Sequence, residues 1–228
     1  MNNTITDIFF DLDHTLWDFD KNSGLTFELI FKKNGIKVQL ETFLEYYEPI
    51  NLKYWKLYRE EKINKENLRF QRLFETFNAI NVSIEAEMIN KLSEDYITYL
   101  TTHNHIFDGT IELLDYLKPN YRLHIITNGF EEVQKHKLEK SKIAHYFSTV
   151  TNSEMVGVKK PNPKIFQFAL NLAGVAKENS IMIGDNYEAD ILGALNIGLD
   201  AICFNYHNSI IPSEIKQVSS LIEIKRFL

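Results

Sequence analysis

The sequence predicts an α/β fold, a Rossmann-like doubly wound parallel sheet with an α-helical subdomain inserted after its first strand. Three observations predict it: short apolar runs bounded by polar or turn residues recur along the chain, helical patterns lie between them, and residues 20–99 contain no convincing strand. Strands that alternate with helices pair in parallel, because each crossover helix covers one face of the sheet.

Taken in order, Ile5–Phe10 reads as a strand buried on both faces. The helical stretch follows. Asn34-Gly35 should stop one helix, since glycine takes the left-handed conformation at a helix end without steric cost. Thr42 and Glu45 have the spacing of a capping box, which predicts a helix start there. Pro49 is expected to break or kink its segment, because it lacks an amide donor and clashes with the preceding turn. Phe70, Leu73, Phe74 and Phe77 form one helical stripe, and Met88, Leu92, Tyr96 and Tyr99 another. Thirteen of the 29 aromatic residues fall between Trp17 and Phe77, which predicts a small helical bundle packed on rings. Beyond it come a helix at Ile111–Leu117, a strand at Leu123–Ile126, a helix at Glu131–Leu138 and a weaker strand at Phe147–Thr151. A helix at Lys164–Ala173, a strand at Ile181–Ile183, a helix at Glu188–Leu195 and a strand at Ala201–Phe204 complete the alternation. The expected division is a core of residues 1–19 and 100–228 with residues 20–99 inserted.

Length and composition bound the function. At 228 residues the chain exceeds one ordinary domain and falls short of two, as a core plus a modest insertion would. A formal net charge of −6 disfavours a nucleic-acid polymer as partner, and the 12 basic and 13 acidic residues of positions 20–100 give the insertion no bias toward anions. A single cysteine, Cys203, excludes an intrachain disulfide and a four-cysteine zinc site. With no signal-like N-terminus and no apolar run of 18 residues, a cytoplasmic protein without a membrane partner is expected. The oligomeric state is not legible.

Chemistry concentrates at strand ends. IFFDLDHT closes its apolar run with Asp11 and Asp13, and residues two apart on an extended chain point to one side. IMIGDNYEAD repeats the theme with Asp185 and, five residues on, Asp190. In a parallel sheet, ligands bind outside the carboxyl ends of the strands. Carboxylates grouped there repel unless a cation or protons offset them, and a hard, oxygen-seeking Mg2+ is the economical answer. IITNG places Thr127 and Asn128 at another strand end, where a hydroxyl and backbone amides can hold phosphate oxygens. GVKKPNP adds Lys159 and Lys160, the latter posed by Pro161 and Pro163. No GxGxxG follows the first strand, no P-loop or GxSxG elbow occurs, and His14, His103, His105, His136 and Cys203 lack the spacing of a transition-metal site.

These residues resemble the haloacid dehalogenase superfamily of aspartate-nucleophile phosphohydrolases, whose four motifs appear in order as DLDHT, the threonine of ITNG, the lysine of KKPNP, and GDNYEAD. The resemblance covers essentially the whole chain, with residues 20–99 in the position of that family's helical cap. It implies that Asp11 is the nucleophile and Asp13 the general acid/base, that Thr127 and Lys160 bind phosphate, and that Asp185 ligates Mg2+ with the Asp11 carboxylate and the Asp13 carbonyl while Asp190 supports that shell. Asn128 joins the substrate-binding set beside Thr127. Ionised together, the four aspartates, a Mg2+, Lys160 and a phosphate dianion would leave a large negative excess, and a proton on Asp13 reduces it while supplying the acid for the leaving oxygen.

Within the family the second aspartate separates reactions: dehalogenases lack it and transporting ATPases carry threonine there, so Asp13 points to phosphoester chemistry. Phosphomutases share every core motif. The cap lysine of phosphonate hydrolases has candidates in Lys21, Lys32, Lys33, Lys53 and Lys56. FFDLDHTLWDFD and FDGTIELLDYLK are similar to the pyrimidine 5'-nucleotidase branch of house-cleaning nucleotidases, which implies a nucleoside 5'-monophosphate substrate; another small phosphate such as a sugar phosphate or phosphoglycolate is the alternative. Trp17 or Phe19 could then stack on a nucleobase or pack the hinge of the cap. A noncatalytic nucleotide-binding module would be expected to have lost a motif residue, and none is missing.

Overall fold

The computed structural model describes residues 4–228. In chain order these form β1 (Asp7–Phe10), α1 (Phe19–Asn34), α2 (Leu40–Arg59), α3 (Lys65–Ala79), α4 (Ala86–Tyr99), α5 (Thr110–Leu117), β2 (Arg122–Thr127), α6 (Glu131–Lys140), β3 (Phe147–Asn152), the short α7 (Ser153–Val156), α8 (Pro163–Ala173) and β4 (Ser180–Gly184). A π-helical turn (Tyr187–Leu192), α9 (Gly193–Asn196), β5 (Asp200–Phe204) and β6 (Gln217–Val218) follow. The chain divides into two compact units, one ending at Phe19 and resuming over Asn104–Leu228, the other comprising Asp20–His103.

The first unit holds a six-stranded sheet in the order β3-β2-β1-β4-β5-β6, with every pair parallel. The chain leaves β1 toward β2 and β3, then returns to β4 on the other side. A crevice opens at the carboxyl ends of the strands where the order reverses in this way. Asp11 and Asp185 follow the two strands that flank the reversal. β1 is buried at all four positions, as its apolar run requires, although its first residue is Asp7. That carboxylate is saturated: Arg122 Nη2 at 2.8 Å and His124 Nε2 at 2.9 Å donate to Oδ1, and Thr6 Oγ1 at 2.7 Å donates to Oδ2. Burial holds His124 below the usual imidazole range, and Phe9 stacks on its ring at 4.7 Å. One face of the sheet packs Phe9, Ile126 and Met182 with Ile165, Phe166 and Leu170 of α8.

The second unit is four helices closed on aromatic rings. Phe27 lies 4.6 Å from Tyr47 and 4.8 Å from both Phe43 and Tyr96, and Phe77 lies 5.2 Å from Phe43. Each such pair adds roughly 0.5–1.5 kcal/mol to what area burial gives. Tyr46 and Phe74 are exposed, so the rings do not all serve the core. α1 ends at Asn34, and Gly35 follows at φ +66°, as expected of the stop. The expected capping box fails, and the break allowed for at Pro49 does not occur. α2 begins at Leu40 behind Gln39, so Thr42 lies inside its first turn and does not cap it. α2 also continues through Pro49 to Arg59, held by a buried face that includes Phe43, Tyr47, Asn51 and Tyr58. Packing of that face outweighs the hydrogen bond that proline forfeits. Arg72 is buried here with no carboxylate partner among the described residues; its Nη1 donates to Asn51 Oδ1 at 2.9 Å and its guanidinium lies 4.9 Å from the Tyr96 ring centroid.

No helix among the described residues is long and apolar enough to cross a membrane.

Candidate active site

Four loops meet at the carboxyl ends of β1, β2 and β4. The backbone N–H of Asp11 donates to the Ile183 carbonyl at 2.8 Å, which carries the β1–β4 ladder one residue past the strand and seats the carboxylate beside β4. Leu12 to Trp17 then folds back on itself: Trp17 N donates to Leu12 O at 2.8 Å, and His14 sits in the left-handed region at φ +62°. Asp185, directly after β4, accepts from Thr15 Oγ1 at 3.2 Å.

The helix expected at Glu188–Leu195 opens instead as the π-helical turn. Asn186 caps it, its Oδ1 accepting from Ala189 N at 2.9 Å, while its own N–H donates to Asp190 Oδ2 at 3.0 Å. A Cβ on Gly184 would come within 2.3 Å of that same oxygen, so the close approach of strand end and carboxylate requires glycine. Widened turns of this kind recur where a helix must aim a functional group.

Lys160 joins the acids. Its ammonium donates to Asp11 Oδ1 at 2.6 Å and to the Ile126 carbonyl at 2.6 Å, and it is ion-paired with Asp190 Oδ1 at 2.7 Å. Burial alone would lower its pKa, but the charges of Asp11 and Asp190 outweigh that and hold it above the usual lysine range. It thus forms a bridge between two carboxylates at the place where the phosphate is expected. Asn128 clamps the Lys160 backbone, accepting from its N–H at 2.7 Å and donating to its carbonyl at 3.0 Å, so it orients the lysine loop.

Thr127 keeps the geometry of an anion donor. Its oxygen accepts from Gly129 N at 3.1 Å and from Gln134 Nε2 at 3.0 Å, which fills both lone pairs and leaves the hydroxyl proton to donate. Gln134 Nε2 also donates to Asp13 Oδ2 at 2.9 Å, and Asp13 Oδ1 is ion-paired with the ammonium of Lys137. Neither Gln134 nor Lys137 stands out in the sequence. No sequence signal marks them: α6 has only Val133 and Leu138 as buried apolar residues, and the fold buries Gln134 and Lys137 beside them.

Trp17 is fully buried, with the Lys137 ammonium 4.2 Å from its ring centroid and Phe19 edge-on at 6.2 Å. Full burial with a lysine over one face of the indole favours the packing role over the stacking one. His14 Nδ1 lies within 2.8 Å of the Tyr206 hydroxyl, which gives that histidine a structural partner.

Asp11, Asp185 and Asp190 each bring a carboxylate oxygen to within 4.8 Å of the others, a set of hard oxygen donors suited to a divalent cation. Burial pushes Asp185 up to about 6, with relief from His14 and a further push from Asp190; burial also raises Asp11 well above the ordinary carboxylate value, against the pull of Lys160. A raised folded-state pKa means that ionisation costs stability: the contribution is complete below pH 3.8 and is lost as pH climbs through about 6. Asp185→Asn should therefore stabilise chelator-treated protein at pH 7.5 by about 1–2 kcal/mol once partial exposure is allowed for, raising its melting temperature, with a smaller gain at pH 5. It should also abolish the stabilisation expected of the parent chain on adding Mg2+, about 2.7 kcal/mol at a hundredfold excess over Kd. Thermal melts with and without Mg2+ at both pH values would contradict this if the variant melted lower at pH 7.5 or still responded to the ion.

A profile of haloacid dehalogenase-like hydrolases matches residues 8–204. The chain is 36% identical over 225 residues to the pyrimidine 5'-nucleotidase YjjG of Escherichia coli, covering 97% of this chain and 96% of that protein. It is 34% identical over 206 residues to the pyrimidine 5'-nucleotidase PynA of Streptococcus pneumoniae, covering 88% and 84%. Among solved structures, the HAD-hydrolase YfnB of Bacillus subtilis, determined bound to magnesium, superimposes with a TM-score of 0.88 at 25% identity over 99% of each chain.

Proposed function

The chain belongs to the haloacid dehalogenase-like hydrolase family, and from that premise we propose that it is a Mg2+-dependent phosphomonoester hydrolase acting on pyrimidine nucleoside 5'-monophosphates in the cytoplasm. The observation that carries the reaction class is the second aspartate: Asp13 lies two residues beyond Asp11 and is tied through Gln134 to Thr127, whose hydroxyl proton is left to donate. The substrate class rests on two relatives, 36% and 34% identical, that are named pyrimidine 5'-nucleotidases.

In this reading an Asp11 carboxylate oxygen attacks phosphorus, the bond from phosphorus to the ester oxygen breaks, and Asp13 gives its proton to the departing alkoxide. Water then attacks the aspartyl-phosphate. Asp13 accepts its proton, inorganic phosphate leaves, and Asp11 is restored. The Thr127 hydroxyl donates to an equatorial phosphate oxygen, and Lys160 offsets the charge of Asp11 and Asp190 so that a dianion can approach. Phosphoryl transfer depends chiefly on such positioning and charge stabilisation. Asp11, Asp185 and the Asp13 carbonyl would hold Mg2+, with Asp190 behind them, and the ion when bound supplies charge neutralisation and a template for the phosphate oxygens. The cluster of three carboxylates and the magnesium-bound relative support that assignment. Residues 20–99 serve as the cap that sets specificity.

The test is a phosphate-release screen with Mg2+ across nucleoside 5'-monophosphates, sugar phosphates, phosphoglycolate and a small aryl phosphate. Turnover is expected to favour the uridine, cytidine and thymidine monophosphates over their purine counterparts and to vanish with chelator. Release from sugar phosphates alone would move the substrate class to the alternative, and no release from any ester would overturn the hydrolase reading.

A further inference from the structure

We infer that Gln134 and Lys137, one turn apart on α6, are positioning residues that clamp both oxygens of Asp13 and set its distance from Thr127. The inference rests on the acid/base role proposed for Asp13. Lys137 pairs with Oδ1, and Gln134 Nε2 reaches Oδ2 at 2.9 Å and Thr127 Oγ1 at 3.0 Å, so one amide group fixes the spacing of two groups that must act on the same phosphate.

Three further features separate this clamp from ordinary packing. First, Lys137 is 2% exposed, with its ammonium over the rings of Trp17 at 4.2 Å and Phe19 at 5.3 Å. Burying an ammonium carries a large desolvation cost, and an apolar residue of similar volume would serve packing better. Second, Gln134 Oε1 is buried without a partner. An orphaned acceptor is destabilising, and reversing the amide would set its oxygen against the Asp13 carboxylate, so the hydrogen bonds to Asp13 and Thr127 are held at the expense of local stability. Third, the backbone makes room for this side chain. A Cβ on Gly129 would fall 1.5 Å from Gln134 Nε2 and 2.5 Å from Cδ, although Gly129 does not occupy the left-handed region. Its lack of a side chain is thus a matter of space for Gln134 rather than of backbone conformation.

Without the clamp, Asp13 can rotate about its side-chain bonds, and a displacement of about 1 Å at a reacting group costs on the order of 100-fold in rate. The experiment compares steady-state kinetics of the parent with Lys137→Met, Lys137→Arg, Gln134→Leu and Gly129→Ala, on a pyrimidine nucleoside monophosphate and a small aryl phosphate. Expected are falls in kcat of roughly 10- to 100-fold for Lys137→Met and Gln134→Leu, with KM within about twofold on both substrates. Lys137→Arg should recover much of the loss, and Gly129→Ala should reproduce Gln134→Leu by displacing the same side chain. If Lys137→Met fails to fold, the uncharged Gln134→Leu reads the same quantity. An active parent whose kcat survives Gln134→Leu and Gly129→Ala would overturn the clamp and leave the hydrolase reading standing, whereas a parent inactive on every ester would overturn both.

Discussion

Asp11→Asn is expected to reduce Mg2+-dependent phosphate release by on the order of 10^4-fold or more, the scale seen when a covalent nucleophile is removed while the rest of its site remains. The substitution is nearly isosteric, and its amide oxygen can still accept from Lys160, which now sits 2.6 Å from Asp11 Oδ1. Lys160 also keeps its contacts with Asp190 at 2.7 Å and Ile126 at 2.6 Å, so the local frame should survive. Burial already raises the Asp11 pKa, so removing that charge should not lower the melting temperature of metal-free protein at neutral pH. Loss of turnover with an unchanged or higher melting temperature therefore distinguishes loss of the nucleophile from loss of the fold. Trapping an acid-stable phosphoenzyme from the parent, and none from the variant, would complete the case. Phosphate release at the parent's rate by purified Asp11→Asn would sink the covalent mechanism.

What the sequence made legible follows from where each residue's role is decided. Four of the first five strands could be read because a strand buried on both faces has no choice but to be apolar; β1 is two residues shorter than its apolar run, β2, β4 and β5 are one or two longer, and β3, only partly buried, carried the weaker signal. β6, two residues at Gln217–Val218, is too short to carry a pattern. Asp11, Thr127 and Asp185 were legible for the same reason, since each directly follows such a run. Thr42 and Pro49 misled because their signals are local, whereas α2 is held by a buried face that brings together residues far apart in the chain. The same limit applies at the site. Asn128 adjoins Thr127 in sequence, yet its side chain turns to the Lys160 backbone, and nothing local records that direction. Trp17 reads as a stacking platform until Lys137, 120 positions on, occupies its ring. Gln134 and Lys137 lie on a helix whose polarity suggests exposure, and only the tertiary fold shows that they are buried against Asp13.

Lys160→Met should be the most destabilising single change in the site. The ammonium is 2% exposed and bridges two buried carboxylates, Asp11 at 2.6 Å and Asp190 at 2.7 Å. Its removal strands both charges and leaves the Ile126 carbonyl without a donor that now stands at 2.6 Å. Breaking a buried pair by deleting one partner costs about 3–5 kcal/mol, a large share of the roughly 5–15 kcal/mol that a folded chain has in total. The penalty belongs to the stranded carboxylates rather than to lost packing, so it should depend on what they can do. Adding Asp190→Asn removes one of them, and the double variant should be more stable than Lys160→Met alone although it carries one more substitution. Mg2+ should narrow the gap in the same way by supplying charge to Asp11 and Asp185. Urea melts of the two single variants, the double variant and the parent form a cycle whose coupling should reach roughly 1–3 kcal/mol. Strict additivity in that cycle would mean that Lys160 is held by its stem and backbone contacts, and the carboxylate bridge would then contribute little to the folded state.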